Sequence, residues 1–381
     1  MSAEAESRAA GWLQAWDAAG VHRTGTAGDA AGAAWLAQAA ASLGAAATVE
    51  TFALDRIDPI AAYLEVDGTR FEGVPVFDAP STGPGRITGV LGTVGSDATI
   101  GVAELSPHAV YSGEYRALRN NSAHAGLVIV CQGAQPGLAL LNAEQFSHPY
   151  GVPAIHLASE TREAVLSAIA NRATARLVVH YQRTAARASN VVVTIGGQDP
   201  SRPSLVVMTP RSSWWQSTAE RGGGLVCWLE SLRAVIAGQP ACDVVFTANS
   251  GHELGHIGLD DFIARRPGWD QPGGALWLHY GANLGASGGT LTLLSNDEAL
   301  RAQATQALTQ AGQPPDLLGP GTQTPSGETR DIHRAGGRYV TLVGSNKLFH
   351  LPQDRWPHAV DVPAIARIAT GAASLVTALT R

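Results

Sequence analysis

An α/β three-layer sandwich is the fold class the sequence predicts: a mixed, mostly parallel sheet between helices, interrupted by an inserted, mostly-β domain. Three observations carry this. From Ser189 onward, apolar runs of strand length (NVVVTIGG, SLVVMTP, CDVVFTA, ALWLHYGA, TLTLLS, RYVTLVGS) alternate with helix-length segments. Continuous apolar strands are those covered on both faces, and their alternation with helices implies helix layers on each side. Between residues 58 and about 185 the pattern changes to short β-like runs parted by Gly, Pro, Ser and Asp, the mark of a separate β-rich unit. Finally, 381 residues of which 45% are hydrophobic suffice for two cores at roughly 100–200 residues per domain. The division expected is residues 1–57 plus 188–381 for the α/β domain and 58–187 for the insert.

In chain order, residues 2–19 and 28–44 read as helices, the second with Asp29 as its cap and Gly44 as its stop. ATVETFALDRI alternates as a strand. The insert holds AAYLEVDGTRF, RITGVLGTV, TIGVAEL and GLVIVC as strands and one helix at 160–172 after VPAIHL. In the second half LVCWLESLRAVIA, 297–311 and 361–379 are helices, and 312–328, rich in Pro, Gly and Thr, is a long loop at the edge of a site or disordered. Charged residues are 15% and net charge is −6, with no Lys/Arg cluster, so a nucleic-acid partner is excluded. Cys131, Cys227 and Cys242 lie far apart in apolar runs and read as core residues, with no disulfide or cysteine zinc site. The acidic, amphipathic N-terminus is no secretory signal, and no apolar run approaches the roughly 18 residues that cross a membrane. The expectation is a cytoplasmic protein without a membrane partner.

Functional groups of such sheets gather on loops at the carboxyl ends of strands. Four such loops collect polar residues: Arg211-Ser212-Ser213-Trp214-Trp215, running on to Glu220, Arg221 and three glycines; Ser250-Gly251-His252-Glu253-Leu254-Gly255-His256; His279-Tyr280-Gly281-Ala282-Asn283; and Phe349-His350-Leu351-Pro352-Gln353-Asp354. The second reads H-E-x-x-H, but the zincin chemistry of that motif needs a regular helix. Here it follows a strand after a short turn and carries glycines at 255 and 258, which argues against it. Trp214 and Trp215 suit either a pocket wall for an apolar ligand or an interface. Trp228 and Trp277 read as core, Asn283 and Ser287 as turn residues, and His108, His124, His148 and His156 as surface or loop residues of the insert.

The order of these loops resembles the double-zinc aminopeptidases of the aminopeptidase Y, glutamate carboxypeptidase and glutaminyl cyclase type. HRTGTAGDAAGAAWLAQAAASLG followed by ATVETF is similar to the family's opening Arg-x-x-Gly turn, helix and strand. NSAHAGLVIVCQG and YGVPAIHLA resemble the protease-associated domain many members carry. SNVVVTIGGQDPSRPSLVVM resembles the strands before the first metal motif, GHELGHIG its Glu-Glu-x-Gly motif, and LFHLPQDRWP its closing His-x-x-x-Asp motif. The metal-site motifs are degenerate. Arg211 and Ser213 stand in the family's H-x-D, Glu220 at its bridging aspartate, and Arg221 at the next asparagine. His252 and Glu253 stand at its base and ligand glutamates, His279 near its next aspartate ligand, and His350 at its last histidine.

Arginine stays protonated and ligates no metal, so the resemblance leaves at most one zinc ion, held by Glu220, Glu253 and His350. His252 would then serve as general acid/base, Arg211 would clamp a substrate carboxylate or an oxyanion, Glu220 would share the catalytic role, and Trp214, Trp215, Arg221 and His279 would line the substrate site. This describes a hydrolase-like enzyme acting on an amide or related bond of a small molecule or peptide. The alternative has no metal, with Arg–Glu bridges in its place: a ligand-binding or scaffold protein, or an enzyme of metal-independent design. The insert is expected to cover one side of the cleft or to mediate homo-oligomer contacts.

Overall fold

The computed structural model describes residues 3–381. The first layer begins with α1 (Ala3–Ala18) and α2 (Ala27–Ser42). Thr26, not Asp29, caps α2: the Thr26 side chain accepts from the Asp29 N–H, and the Asp29 carboxylate accepts from Gly25 N–H, a reciprocal arrangement of the capping-box kind.

Next come β1 (Thr48–Val66), β2 (Thr69–Pro75), β3 (Ile87–Thr93), β4 (Ile100–Leu105), α3 (Gly113–Asn120), β5 (Gly126–Cys131), β6 (Ala154–Leu157), α4 (Arg162–Ala170) and β7 (Thr174–Ile195). β1 and β7 form one antiparallel ribbon, paired from Thr48↔Val192 to Val66↔Ala175 with a single register shift at Pro59/Ala61. Both strands run unbroken through positions 57–58 and 187–188. One half of the ribbon lies in the main sheet. The other half closes a circuit of pairings β1–β2–β6–β5–β4–β3–β7–β1, a small barrel without free edges. Its interior is filled by Leu64, Leu91, Ile100, Val128, Ile155 and Leu177 among others.

The remaining elements are β8 (Leu205–Pro210), α5 (Thr218–Ala237), β9 (Val244–Asn249), α6 (Ile257–Ala264), β10 (Leu276–Tyr280), β11 (Leu291–Ser295), α7 (Glu298–Gln310), β12 (Leu317–Leu318), α8 (Thr329–Ala335), β13 (Arg338–Gly344) and α9 (Val362–Leu379). The main sheet runs β7-β9-β8-β10-β13-β11-β12, with β9, β8, β10 and β13 parallel and β7 and β11 antiparallel to their neighbours. Side chains alternate along β8. Leu205 and Val207 join the core under α1, α5, α7 and α9, whereas Val206 and Met208 join a second core under α6 and α8 with Trp277 and Tyr339. That alternation produces the three layers. α9 has the length and hydropathy to cross a membrane, contrary to the sequence reading, yet it packs against α5 in the main core.

Candidate active site

The site forms where β8, β9, β10 and the loop after β13 end together. The first turn of α5 is its centre. Ser217, at φ 51°, gives the helix no side-chain cap. Asp354 caps it from the neighbouring loop: its carboxylate accepts from Ala219 N–H (2.7 Å), Glu220 N–H (3.0 Å) and Asn346 Nδ2 (3.1 Å). A carboxylate is favoured there by the free amides and the helix dipole. Burial, opposed by the amide bond from Ala219, nonetheless pushes the Asp354 carboxyl up to about 7. Gly223 and Gly224 let α5 press against the β10 side, since a Cβ at Gly223 would stand 1.9 Å from Leu284 O and one at Gly224 2.5 Å from Thr209 Oγ1.

Glu220 and Arg221 are thereby fixed side by side, both about 1% exposed. Arg221 Nε donates to Ser212 O (2.7 Å), and Nη2 stands 2.8 Å from Glu220 Oε1. That contact is close but not aligned as a hydrogen bond, so both Nη atoms and both Glu220 oxygens lack hydrogen-bond partners. His350 donates from Nδ1 to Leu140 O of the insert (2.6 Å) and turns Nε2 to Glu220 Oε1 at 3.3 Å. Trp215 Nε1 holds His350 O (2.9 Å). Burial alone would raise the Glu220 carboxyl; Arg221 and then His350 outweigh it and bring it down to about 2.

Opposite this pair stand His252, His256, His279 and Glu328. His252 lies in a 3₁₀ turn between left-handed Gly251 and Gly255, and α6 starts only after His256. The H-E-x-x-H stretch is therefore not one regular helix, as its glycines imply. The His252 and His256 rings are 4.9 Å apart, and His252 Nδ1 lies 3.8 Å from Glu328 Oε1. A Cβ built on Gly327 would lie 3.6 Å from both His252 Cε1 and His279 Cε1, so the two rings flank the same glycine. His256 Nδ1 pairs with Asp331 (2.6 Å), and His279 Nδ1 with Thr341 Oγ1 (2.8 Å). His252 Nδ1, His256 Nε2, His279 Nε2 and Glu328 Oε1 are buried and unpartnered.

Burial, then Arg221, drives the His252 imidazole well below its usual range, and burial, then His256, takes His279 to about 3. Burial lowers His256 too, but its Asp331 bond more than offsets this and raises it. Burial lifts Glu328 to about 7 against the pull of His256 and Arg221.

Two expected site residues point elsewhere. Arg211 is committed to the opening turn: Nη1 donates to Asp29 O (2.7 Å), and Nη2 meets Asp29 Oδ1 (2.8 Å) and Ser189 O (2.7 Å). It is a positioning residue under α2, because its guanidinium is spent on Asp29 and Ser189, and the expected clamp on substrate gives way to this anchor. Glu253 Oε1 accepts from Thr24 N–H (2.8 Å) and Thr24 Oγ1 (2.7 Å), and Oε2 from Ser212 Oγ (2.6 Å). With both oxygens satisfied, Glu253 does not complete a metal set with Glu220 and His350.

A zinc ion does not fit these residues. Among the described residues no three His, Cys, Asp or Glu side chains are grouped to hold a metal, and the Arg221 guanidinium lies against the one carboxylate that faces His350.

Trp214 is buried with Phe77 (centroids 4.7 Å apart), Leu140 and Leu254, and its Nε1 donates to Asn142 Oδ1 (3.1 Å). It therefore packs the segment carrying Phe77 and Leu140 against the turn after β9. Trp228 and Trp277 are core residues, and the three cysteines are free and buried. His124 and His156, read from sequence as surface or loop residues, are buried; His156 Nε2 accepts from Leu141 N–H (3.2 Å).

The stretch that carries Leu140 and Glu144 covers this buried cluster. Tyr111 is 40% exposed, and Glu144 pairs with Arg330 (2.6 Å) beside it. Beside the cluster lies a cavity of about 640 Å³ lined by Tyr111, Arg116, Gly255, Ser326, Asp331 and Arg334. Among the described residues six non-glycine residues have positive φ, and four of them, Ser217, His256, Asn283 and His350, lie in the turns that carry these side chains; such strain concentrates at functional sites.

Sequence reasoning missed Glu328, Asp331, Thr24 and Asn249. The one available signal was a lone glutamate, flanked by Gly and Thr, closing the 312–328 loop before α8.

No family model and no curated protein sequence matches the chain. Among solved structures, it is similar to an aminopeptidase from Aneurinibacillus sp. strain AM-1 (TM-score 0.74, 14% identity, covering 100% of this chain and 94% of that one). It is also similar to the zinc aminopeptidase BSAP of Bacillus subtilis (0.76, 16%, 96% and 94%) and to a peptidase M28 precursor from Shewanella amazonensis (0.78, 12%, 99% and 94%). Over nearly its whole length, the chain has the zinc-aminopeptidase fold.

Proposed function

We propose that the protein is a metal-independent enzyme on the peptidase fold, acting on an amide or related bond of a small molecule or peptide at this buried polar cluster. The observation that carries this is Arg221. Its buried guanidinium is paired with Glu220 in distance, yet both Nη atoms lack hydrogen-bond partners. Leaving such donors unmet costs about 1–3 kcal/mol each, which a ligand oxygen would offset. Fixed in place by Ser212 and Glu220, the guanidinium supplies the positive charge that polarises a carbonyl and meets a developing oxyanion. The unpartnered His252, His279 and Glu328 add acceptors for the rest of the reacting group.

The test is dialysis against EDTA followed by metal analysis, thermal melting and assay on a panel of aminoacyl and N-acetyl-aminoacyl p-nitroanilides. Melting temperature and turnover should survive chelation and fall in Arg221→Gln. Activity lost on chelation and restored by zinc would refute the reading.

A second reading, ligand binding without turnover, draws on the near-complete burial of Glu220, Arg221, His252 and Glu328. Calorimetric binding of panel members that are never cleaved would favour it.

A further inference from the structure

The 312–334 segment delivers a carboxylate that the opening motifs do not contain. Glu328 is fully buried. Its Oε2 is held weakly by Asn249 Nδ2 (3.4 Å), and its Oε1, without a hydrogen-bond partner, faces His252 Nδ1 at 3.8 Å. No arginine pairs with it: Arg221 is engaged with Glu220, and Arg330, two residues along, with Glu144. Left-handed Gly327 (φ 67°) turns the chain so that the glutamate follows directly on the spot flanked by His252 and His279. A buried carboxylate lacking a charge partner is a poor structural element, and one with a free oxygen beside an imidazole is suited to moving protons.

We propose that Glu328 is the proton-transferring residue of the cluster, working opposite Arg221; this rests on the amide-cleaving reading above. The carboxylate takes a proton from water as the water oxygen bonds to the carbonyl carbon. The resulting oxyanion faces Arg221. Glu328 then passes that proton to the amide nitrogen as the C–N bond breaks. A carboxylic acid and an amine leave, and Glu328 is a carboxylate again. His252, held neutral by burial and Arg221, orients the water or the acid form of Glu328. The groups facing Glu328 are Arg221 from α5, Asn249 from β9, His252 and His256 from the turn before α6, and Asp331 from α8.

The experiment is the pH profile of p-nitroanilide hydrolysis from pH 5 to 9 for the full chain, Glu328→Gln and Glu328→Asp, with calorimetric affinity for the same compounds measured in parallel. The expected result is a rate that climbs through a step near pH 7. Glu328→Gln should lower kcat by about 100-fold or more and abolish the step, with affinity within about twofold of the parent. Glu328→Asp should keep part of the rate. A step that persists in Glu328→Gln, an unchanged kcat, or a parent protein that binds the panel and cleaves none of it would overturn the proposal. A protein that binds none of the panel removes the site reading itself.

Discussion

Replacing Arg221 with methionine tests the electrostatic centre directly. The substitution keeps much of the side chain's length but leaves the Glu220 carboxylate buried with His350 Nε2 at 3.3 Å as its remaining facing group. The present surroundings lower the Glu220 carboxyl from 4.5 to about 2. That shift corresponds to about 3 kcal/mol in favour of the charged form, much of it from Arg221. Breaking a buried pair by removing one partner costs about 3–5 kcal/mol, in agreement, and loss of the Nε bond to Ser212 O adds about 1 kcal/mol. At roughly 2 °C per kcal/mol for a chain of this size, the melting temperature should fall by about 8–12 °C at pH 7. The contribution is present above the unfolded-state pKa near 4.5 and is lost as pH falls towards 2. The double change Glu220→Gln, Arg221→Met removes both charges and should recover more than half of the loss. Urea unfolding of parent, single and double variants measures all three. A single variant within about 1 kcal/mol of the parent, or a double variant no better than the single, would refute the claim that the pair fills the centre.

Glu328 gives the opposite sign. Its folded-state pKa, about 7, lies above the unfolded value, so its stabilisation is complete below about pH 4.5 and disappears as pH rises through 7. Glu328→Gln should therefore gain up to about 3 kcal/mol on the parent at pH 8 and little at pH 4.5, read from urea midpoints at the two pH values. Glu253→Ala leaves Thr24 N–H, Thr24 Oγ1 and Ser212 Oγ without their acceptor; it should cost about 3 kcal/mol or more by urea unfolding, and a thermal melt with added zinc should show no shift in the parent. Asp354→Ala uncaps α5 and should cost about 1–2 kcal/mol in the same assay. It should also lower affinity for any ligand of the cluster, because Glu220 N–H loses its anchor.

The layers of this fold were legible because apolar strand runs and helix signals are local. The single residue-by-residue alternation along β8 is enough to divide two cores. Trp228, Trp277 and the cysteines read correctly for the same reason. The β character of residues 58–185 was equally local, but the closure of these strands into a barrel was not: that depends on one ribbon, β1 with β7, whose partners are more than 100 residues apart.

At the site, sequence spacing brought the right loops together and misjudged where their side chains point. Glu220, Arg221, His252, His279 and His350 lie in one buried cluster. Arg211 and Glu253 were expected in it, yet each is drawn back to the Thr24–Asp29 turn, because a buried guanidinium or carboxylate takes the nearest fixed partners, and those are set by packing 180 to 230 residues away in sequence. Glu328 enters from a loop with no motif at all. Local pattern thus determined which segments are strands, helices and polar strand ends. Only tertiary packing decided which charge meets which, since the free energy of a buried ion depends on neighbours a few ångströms away in space, whatever their distance along the chain.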